Sequence, residues 1–230
     1  MSVSLYTSRV VLNTLGVDDF GIYSIVGGVV SMFGFFNNAM AGATQRFLTF
    51  AIGEEDFDKL HKTFNASLNL HILIALFFLI LAETIGLWLV NYKLVIPIDR
   101  VFSANVVFQL SIFTFLIGIV QTPYNALIIA REKMEMFAYV SILEVFLKLM
   151  IVFVLPFIEH DHLIVYAVLY LIVSFIIRIV YKIYCTRTFI ESHYEFYYDK
   201  FLYKSLLSFS GWTLFGGLSL VAKNQGVNVL

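Results

Sequence analysis

Long apolar runs, each ended by a short charged segment, repeat along the chain from about residue 20 to its end. An α-helix needs about 20 apolar residues to cross the hydrocarbon core of a bilayer, so the pattern predicts an all-α polytopic membrane protein. The predicted helices cover residues 1–16 (the second half of a helix), 22–50, 64–90, 103–130, 137–158 and 163–181, and a seventh begins at residue 205 and is still apolar at residue 230.

Residues 182–204 form the one long segment that is too charged and aromatic to cross a membrane. We interpret this segment as a linker, part of it an amphipathic helix lying in the membrane interface. It divides the chain into an N-terminal transmembrane lobe (residues 1–181) and the first helix of a second lobe (residues 205–230). Because neither end of the chain has a polar flank, we expect both ends to lie within membrane helices.

The basic residues are distributed unevenly when the predicted helices are threaded alternately through a bilayer. Membrane proteins keep an excess of Lys and Arg on the cytoplasmic side, which places the linker and the richer set in the cytoplasm. The poorer side has Arg9, Lys93 and Arg100, and the richer side has Arg46, Lys59, Lys62, Arg131, Lys133, Arg178, Lys182, Arg187, Lys200 and Lys204.

The composition agrees with lipid as the main solvent of this chain. Hydrophobic residues make up 60% of it, charged residues 13%, and the mean hydropathy is +0.87. A soluble domain of this size could not bury so much apolar surface. The formal net charge of -1 gives no basic surface for nucleic acid. The turn around His160 and His162 has too few ligands for a metal, so no metal, cofactor or enzymatic activity is expected.

Small and polar residues recur every three or four positions along the predicted helix 22–50. This spacing places them on one helix face, where they serve either close packing between helices or the lining of a cavity; the sequence leaves both interpretations open. The residues on this face are Gly27, Ser31, Gly34, Asn38, Gly42 and Gln45.

Two further helices carry polar faces. In the helix 103–130, Gln121 and Asn125 lie on one side, and Pro123 between them removes a backbone hydrogen bond and is a candidate hinge. In the helix 64–90, a spacing of five helical turns predicts that Glu83 shares a face with Asn65. A Pro kink needed only for packing is as good an interpretation as a solvated interior.

A few charges lie inside the predicted helices. Lys148 is about 16 Å deep at 1.5 Å per residue, and Glu144 lies one turn away, so the two either neutralise each other or take part in ligand binding and ion coupling. Arg9 and Arg46 lie near helix ends, where long side chains reach the interface. If Arg9, Arg46, Lys148 and Lys223 converge, they form a cationic cavity.

Several short stretches resemble bacterial polysaccharide exporters. They are residues 5–23 (LYTSRVVLNTLGVDDFGIY), 43–49 (ATQRFLT), 121–126 (QTPYNA), 132–134 (EKM), 208–212 (SFSGW) and 224–226 (NQG). The chain is similar to the O-antigen type flippases of the multidrug/oligosaccharidyl-lipid/polysaccharide (MOP, MATE-like) superfamily. Members have two six-helix lobes around a central cavity, so the resemblance implies that this chain holds most of the first lobe, the linker and the first helix of a truncated second lobe.

The resemblance also implies a function. Such proteins move undecaprenyl-diphosphate-linked oligosaccharides across the bacterial inner membrane by alternating access, alongside other polysaccharide-assembly membrane proteins. A diphosphate needs fixed cations in a low-dielectric cavity, and sugars need amides and hydroxyls. The candidate substrate-binding residues are Arg9, Arg46, Lys148, Lys223, Asn38, Gln45, Gln121 and Asn125. A Na⁺ or H⁺ gradient would use Glu83 or Glu144, the only deep carboxylates.

Other functions remain open at this point. A multidrug or small-solute exporter of the same superfamily would favour carboxylates and aromatic residues, which suit cations. A membrane-embedded glycosyl- or acyltransferase would need acidic or histidine clusters at a membrane face, and only the turn at His160 and His162 comes near. A chain that no longer transports is the remaining interpretation.

Overall fold

The computed structural model describes residues 2–31, 33–159 and 161–226, with the side chains of 2–7, 35 and 217–226 left aside. The prediction of an all-helical chain is confirmed for these residues, which contain no strand. The α-helices are α1 Ser2–Leu15, α2 Val17–Ser31, α3 Gly34–Gly53, α4 Phe57–Leu81, α5 Leu87–Tyr92, α6 Val101–Ala130, α7 Glu135–Val154, α8 His162–Thr188 and α9 Lys200–Gly226. A π-helix, Ala82–Gly86, joins α4 to α5, and short 3₁₀ helices cover Ile98–Arg100, Leu155–Phe157 and Ile190–Ser192.

Four helical segments are long and apolar enough to cross a membrane, namely Phe57–Tyr92, Ile98–Ala130, Glu135–Phe157 and His162–Thr188. A fifth span exists if α2 and α3 cross the membrane together. Only 22% to 33% of the most apolar window in each of the four segments is buried inside the protein. Large side chains such as Phe77, Phe113, Phe146 and Phe175 therefore face outward, which fits a multi-pass protein embedded in lipid.

The predicted helix 22–50 is two helices in the structure. α2 ends at Ser31 and α3 begins at Gly34, in a stretch that also contains Gly27 and Gly28. Glycine lowers helix propensity by about 1 kcal/mol relative to alanine, so a cluster of glycines is where a long helix is most easily interrupted.

α4 begins within the segment that the sequence marked as a charged loop. Its first residue is Phe57, and the carboxylate of Asp56 accepts a hydrogen bond from the backbone N–H of Lys59 at 2.9 Å. This is the geometry of an N-cap, and it satisfies one of the free N–H groups at the start of the helix. The charges at this end therefore belong to the first turns of a membrane helix.

The linker is shorter than the predicted 182–204. α8 continues to Thr188 and α9 begins at Lys200, so only residues 189–199 connect them. This connection has one 3₁₀ turn, Ile190–Ser192, followed by irregular backbone without the predicted amphipathic helix. The carboxylate of Asp199 caps α9 by accepting the N–H groups of Phe201 and Leu202, and these bonds lower its pKa.

The chain divides into two compact units. Unit 1 consists of Met1–Met32, Ala75–Gly118 and Glu135–Val180, and unit 2 of Phe33–Ile74, Ile119–Met134 and Tyr181–Leu230. Unit 1 has an apolar core that includes Val26, Phe108, Ile112, Leu155 and Leu163. In unit 2, α3 packs against α9 around Met40, Leu70 and Leu206, and the rings of Phe64 and Tyr124 meet edge to face.

An ion-pair network in unit 1 joins the start of α2 to the starts of α6 and α8. The guanidinium of Arg100 contacts the carboxylates of Asp19 at 2.9 Å and Asp161 at 3.0 Å. The hydroxyl of Ser103 donates to Asp161 at 2.7 Å, and the N–H of Leu163 does so at 3.1 Å. These contacts cross-link three segments that are far apart in sequence.

Candidate substrate-binding residues

An open groove of about 740 Å³ follows the exposed face of α3 in unit 2. Gly42, Gln45, Arg46 and Thr49 line it at helical spacing, and the first two belong to the small and polar helix face that the sequence predicted. A Cβ atom added to Gly42 would meet nothing within 4 Å. The small residue at this position therefore faces open space, which favours the lining of a cavity over close helix packing.

Arg46 provides the groove with a fixed positive charge. Its guanidinium lies 4.5 Å from the centre of the Phe209 ring on α9, and the side chain is exposed. A guanidinium stacked on a ring keeps its N–H donors at its edge, where they can bind a carboxylate or a phosphate. Glu54, at the far end of the groove, is paired with Lys59 at 2.5 Å.

Three predicted amides occupy different environments in unit 2. Asn38 is exposed on α3, and Gln121 is half-buried on α6. The side-chain oxygen of Asn125 is buried without a hydrogen-bond partner among the described residues. A buried acceptor of this kind costs about 1–3 kcal/mol unless water or a ligand satisfies it, so Asn125 is a place where a donor is expected to bind.

The sequence did not indicate the pair that joins α3 to α6. The hydroxyl of Thr122 donates to the side-chain oxygen of Asn37 at 2.9 Å, beside Pro123. α6 continues through Pro123, which is buried, so this proline does not end the helix. Its role as a hinge stays a prediction.

Lys148 and Glu144 neutralise each other in unit 1. Their charged atoms are 2.6 Å apart, and the Lys148 ammonium also lies 5.0 Å from the centre of the Tyr170 ring. Of the two interpretations that the sequence left open, the structure shows the internal pair. Both side chains are half-buried, and within this pair each charge is compensated by the other.

Glu83 lies in the π-helix that follows α4. It is exposed and accepts a hydrogen bond from the Gln109 amide of α6 at 3.1 Å. The five-turn spacing that placed Glu83 on the face of Asn65 assumed a continuous α-helix. The π-helix Ala82–Gly86 begins just before Glu83, so this assumption fails at that residue.

The four predicted cations lie in different parts of the chain. Arg9, which is exposed on α1, and Lys148 belong to unit 1, whereas Arg46 belongs to unit 2. Lys223 lies near the end of α9, outside the residues whose side chains the structure describes. Their convergence into one cationic cavity stays a prediction.

A ladder of side chains on α4 holds the linker in unit 2. The Asn65 oxygen accepts the N–H of Glu195 at 2.9 Å, and its nitrogen donates to the carbonyl of His193 at 3.2 Å. One turn further along, the nitrogen of Asn69 donates to the carbonyl of Tyr197 at 3.2 Å. The two asparagines thus act on every second residue of the linker, as a neighbouring β-strand would.

A buried ion pair holds the start of the same linker. The guanidinium of Arg131, at the end of α6, donates through Nε and Nη2 to one carboxylate oxygen of Glu191, with the Nε bond at 2.7 Å. The Nδ1 atom of His61 lies 3.1 Å from the Glu191 carbonyl. Glu191 is buried, and a buried carboxylate without such partners would destabilise the fold.

No group of three or more His, Cys, Asp or Glu side chains that could hold a metal ion occurs among the described residues, which do not include His160. Comparisons with protein-family models, with curated proteins and with solved structures find no match to this chain.

Proposed function

We propose that this chain belongs to a bacterial inner-membrane flippase that moves undecaprenyl-diphosphate-linked oligosaccharides by alternating access. In this proposal the helices form the first six-helix lobe of a MATE-like exporter and α9 opens the second lobe. The resemblance of its short motifs to polysaccharide exporters supports the family. The observation that carries the proposal is the groove along α3, which offers a fixed guanidinium beside amide and hydroxyl groups.

The groove has the chemistry that a lipid diphosphate requires. Arginine binds phosphate oxygens through paired N–H donors, and such charge-assisted bonds are about twice as strong as neutral ones. Stacking on Phe209 holds the Arg46 guanidinium in place before the substrate arrives. Gln45 and Thr49, which line the same groove, supply neutral donors and acceptors for the first sugar.

The charge distribution gives the proposed direction of transport. With the linker in the cytoplasm, Arg46 lies about two turns from the cytoplasmic end of α3. A substrate made in the inner leaflet would therefore meet Arg46 first. Of the two candidate carboxylates, Glu83 is the better one for Na⁺ or H⁺ coupling. It is exposed and bound to a neutral amide, whereas Glu144 is paired with Lys148.

A transport assay with Arg46 variants tests the proposal. The full-length protein is reconstituted in liposomes with a fluorescently labelled polyprenyl-diphosphate oligosaccharide, and flipping is followed as label becomes accessible to a membrane-impermeant quencher. Loss of one charge-assisted contact weakens binding by about 1.5–3 kcal/mol, so Arg46→Gln should lower flipping at limiting substrate about 10- to 100-fold. The flipping rate of Arg46→Lys, which keeps the charge without the paired donors, should lie between those of wild type and Arg46→Gln.

Lys204→Gln is the control, because Lys204 is an exposed cation in the same unit outside the groove. Equal flipping by wild type, Arg46→Gln and Lys204→Gln would contradict the role of the groove. Transport of a lipophilic cation such as tetraphenylphosphonium, without any flipping of the lipid diphosphate, would instead identify a multidrug exporter.

A further inference from the structure

Two cavities lie along α2, within unit 1. The larger has a volume of about 480 Å³ and is bounded by α1, α2 and α8; the smaller, of about 190 Å³, is bounded by α2, α6 and α8. Tyr23, Gly27 and Ser31 line both. The larger volume falls within the range of about 300–1,000 Å³ that is usual for small-ligand sites.

Hydroxyl groups dominate the polar lining of these cavities. Ser8, Ser24 and Tyr166 line the larger one, and Ser111, Thr114 and Tyr170 line the smaller one. No charged residue of the described part of the chain lines either cavity. Phe20 in the larger cavity and Phe115 in the smaller one add apolar surface.

The tyrosine rings support one another. Tyr23 and Tyr166 meet edge to face with their ring centres 4.8 Å apart, and Tyr166 and Tyr170 lie 6.2 Å apart. Such pairs hold rings in place, and the hydroxyls of Tyr23 and Tyr166 bond to each other, which leaves oxygen lone pairs that can accept hydrogen bonds from a ligand. The hydroxyl of Ser31 donates to the Gly28 carbonyl at 2.8 Å, which leaves its oxygen to accept a hydrogen bond from a ligand.

Gly27 and Gly28 keep this space open. A Cβ atom added to either would meet nothing within 4 Å, so neither glycine is required for contact between helices. Each lowers the helix propensity of α2 relative to alanine. The two adjacent glycines therefore weaken the helix without improving its packing. This is expected where a cavity must admit a ligand.

We infer that the two cavities along α2 form a binding site for a neutral saccharide. A sugar ring has hydroxyls at its edge and C–H groups on its faces, which match serine and tyrosine hydroxyls beside aromatic rings. A cationic drug would require a carboxylate and a diphosphate would require a cation, and neither kind of residue lines the cavities in the described part of the chain. The choice of a saccharide over another neutral polyol rests on the proposed function, with the sugars of the lipid-linked substrate as the occupant.

A protection experiment tests this site without transport. Gly28→Cys places a thiol in the larger cavity, and the native Cys185 is buried. The full-length variant in lipid nanodiscs is alkylated with a water-soluble maleimide. The probe is the neutral glycan pool released by mild acid from the polyprenyl lipids of the producing cells, so that diphosphate and lipid are absent. We expect the probe to slow the alkylation of Cys at position 28 at least 3-fold, and inorganic pyrophosphate to have no effect.

Two sets of variants then locate the binding. Gly27→Leu, combined with the Gly28→Cys label, should fill the space and abolish protection, whereas Gly21→Leu should retain it, because Gly21 lies on α2 but lines neither cavity. Should Gly27→Leu fail to fold, Tyr23→Phe with Tyr166→Phe removes two hydroxyls and keeps both rings. Tyr139→Phe, at an exposed position of α7, is their control.

The outcomes separate this inference from the proposed function. Failure of the glycan pool to protect the thiol, or protection that Gly27→Leu and the double tyrosine variant leave unchanged, would overturn the saccharide site even if lipid-linked sugar is flipped. Protection by the glycan pool in a protein that flips no lipid diphosphate would support the site and contradict the flippase.

Discussion

Gly86 shows how closely one residue can be determined by its neighbour. It lies in the π-helix before α5, and a Cβ atom built on it would come within 2.5 Å of the Phe108 ring. Phe108 is fully buried in the core of unit 1, so its ring cannot move aside without disturbing the residues around it. Only glycine fits at this contact.

Gly86→Ala should therefore destabilise the protein by about 1–3 kcal/mol, the usual range for an added methyl group in a packed core. The measurement is thermal unfolding in detergent. Gly118→Ala is the matched control, since a Cβ atom at Gly118 on α6 meets nothing within 4 Å and alanine improves helix propensity. Equal unfolding temperatures for the two variants would contradict the contact.

Some residues of the candidate site could be predicted from the sequence, and others could not. Gln45 and Arg46 could be predicted because a polar side chain inside an apolar membrane helix is costly and therefore indicates a functional position. The pair formed by Asn37 and Thr122 gave no such signal, since its partners are far apart in sequence and each looks ordinary alone. Long-range pairing of this kind depends on the fold.

At the scale of elements, the linker is held by hydrogen bonds to its main chain. Asn65 is fully buried and makes two of them, to His193 and Glu195. These bonds, the burial of Phe189 and the pair of Arg131 with Glu191 hold the linker in place.

Asn65→Leu should release the linker while leaving the helices in place. Each lost bond contributes about 0.5–1.5 kcal/mol, so the amide of Glu195 should exchange with deuterium about 10-fold faster. Hydrogen exchange followed by mass spectrometry measures this. Asn13→Leu, at an exposed position of α1, should leave exchange in the linker unchanged. Unaltered exchange at Glu195 in Asn65→Leu would show that other contacts hold the linker.

The sequence predicts the existence of the long helices better than their ends. Apolar length identified α6 almost to the residue, but charges misled the prediction at α4, α8 and the linker. A charged residue can be in the first or last turn of a membrane helix, where its side chain reaches water, as Arg187 is in α8. Capping by Asp56 and Asp199 sets the actual starts of α4 and α9.

At the scale of the whole molecule, many large apolar side chains face lipid and not the interior. Polar networks therefore add to the apolar packing that holds the helices together. Unit 1 is the clearest case, because Arg100 joins the start of α2 to the turn before α8 through Asp19 and Asp161. Burial acts to raise the pKa of Asp161, but hydrogen bonds from Ser103 and from backbone N–H groups, together with the charge of Arg100, lower it below the usual 3.8.

This shift predicts how stability depends on pH. A carboxylate with a lowered pKa in the folded state stabilises the fold above its unfolded pKa, and the contribution is lost as pH falls through the folded value. The contribution of Asp161 should therefore be lost below about pH 3.8, measured as the midpoint of thermal unfolding. Asp161→Asn should be less stable at neutral pH by about 1–3 kcal/mol. Its unfolding midpoint should also fall less than that of wild type as the pH is lowered into the acid range.

Asp99→Asn is the control for that prediction, because Asp99 is exposed in the same region. It should keep both the stability of the wild type at neutral pH and its loss of stability in acid. An unfolding midpoint that falls as steeply with pH in Asp161→Asn as in wild type would assign the pH dependence to other carboxylates.

The way in which α4 binds the linker has a consequence for natural variation. Asn65 and Asn69 contact the backbone of His193, Glu195 and Tyr197, and every residue except proline presents the same N–H and C=O groups. Unlike Glu191, whose side chain pairs with Arg131, positions 193, 195 and 197 are thus free to vary as long as position 195 keeps its N–H. The two asparagines are not, since a change at either removes a bond that no substitution in the linker can restore.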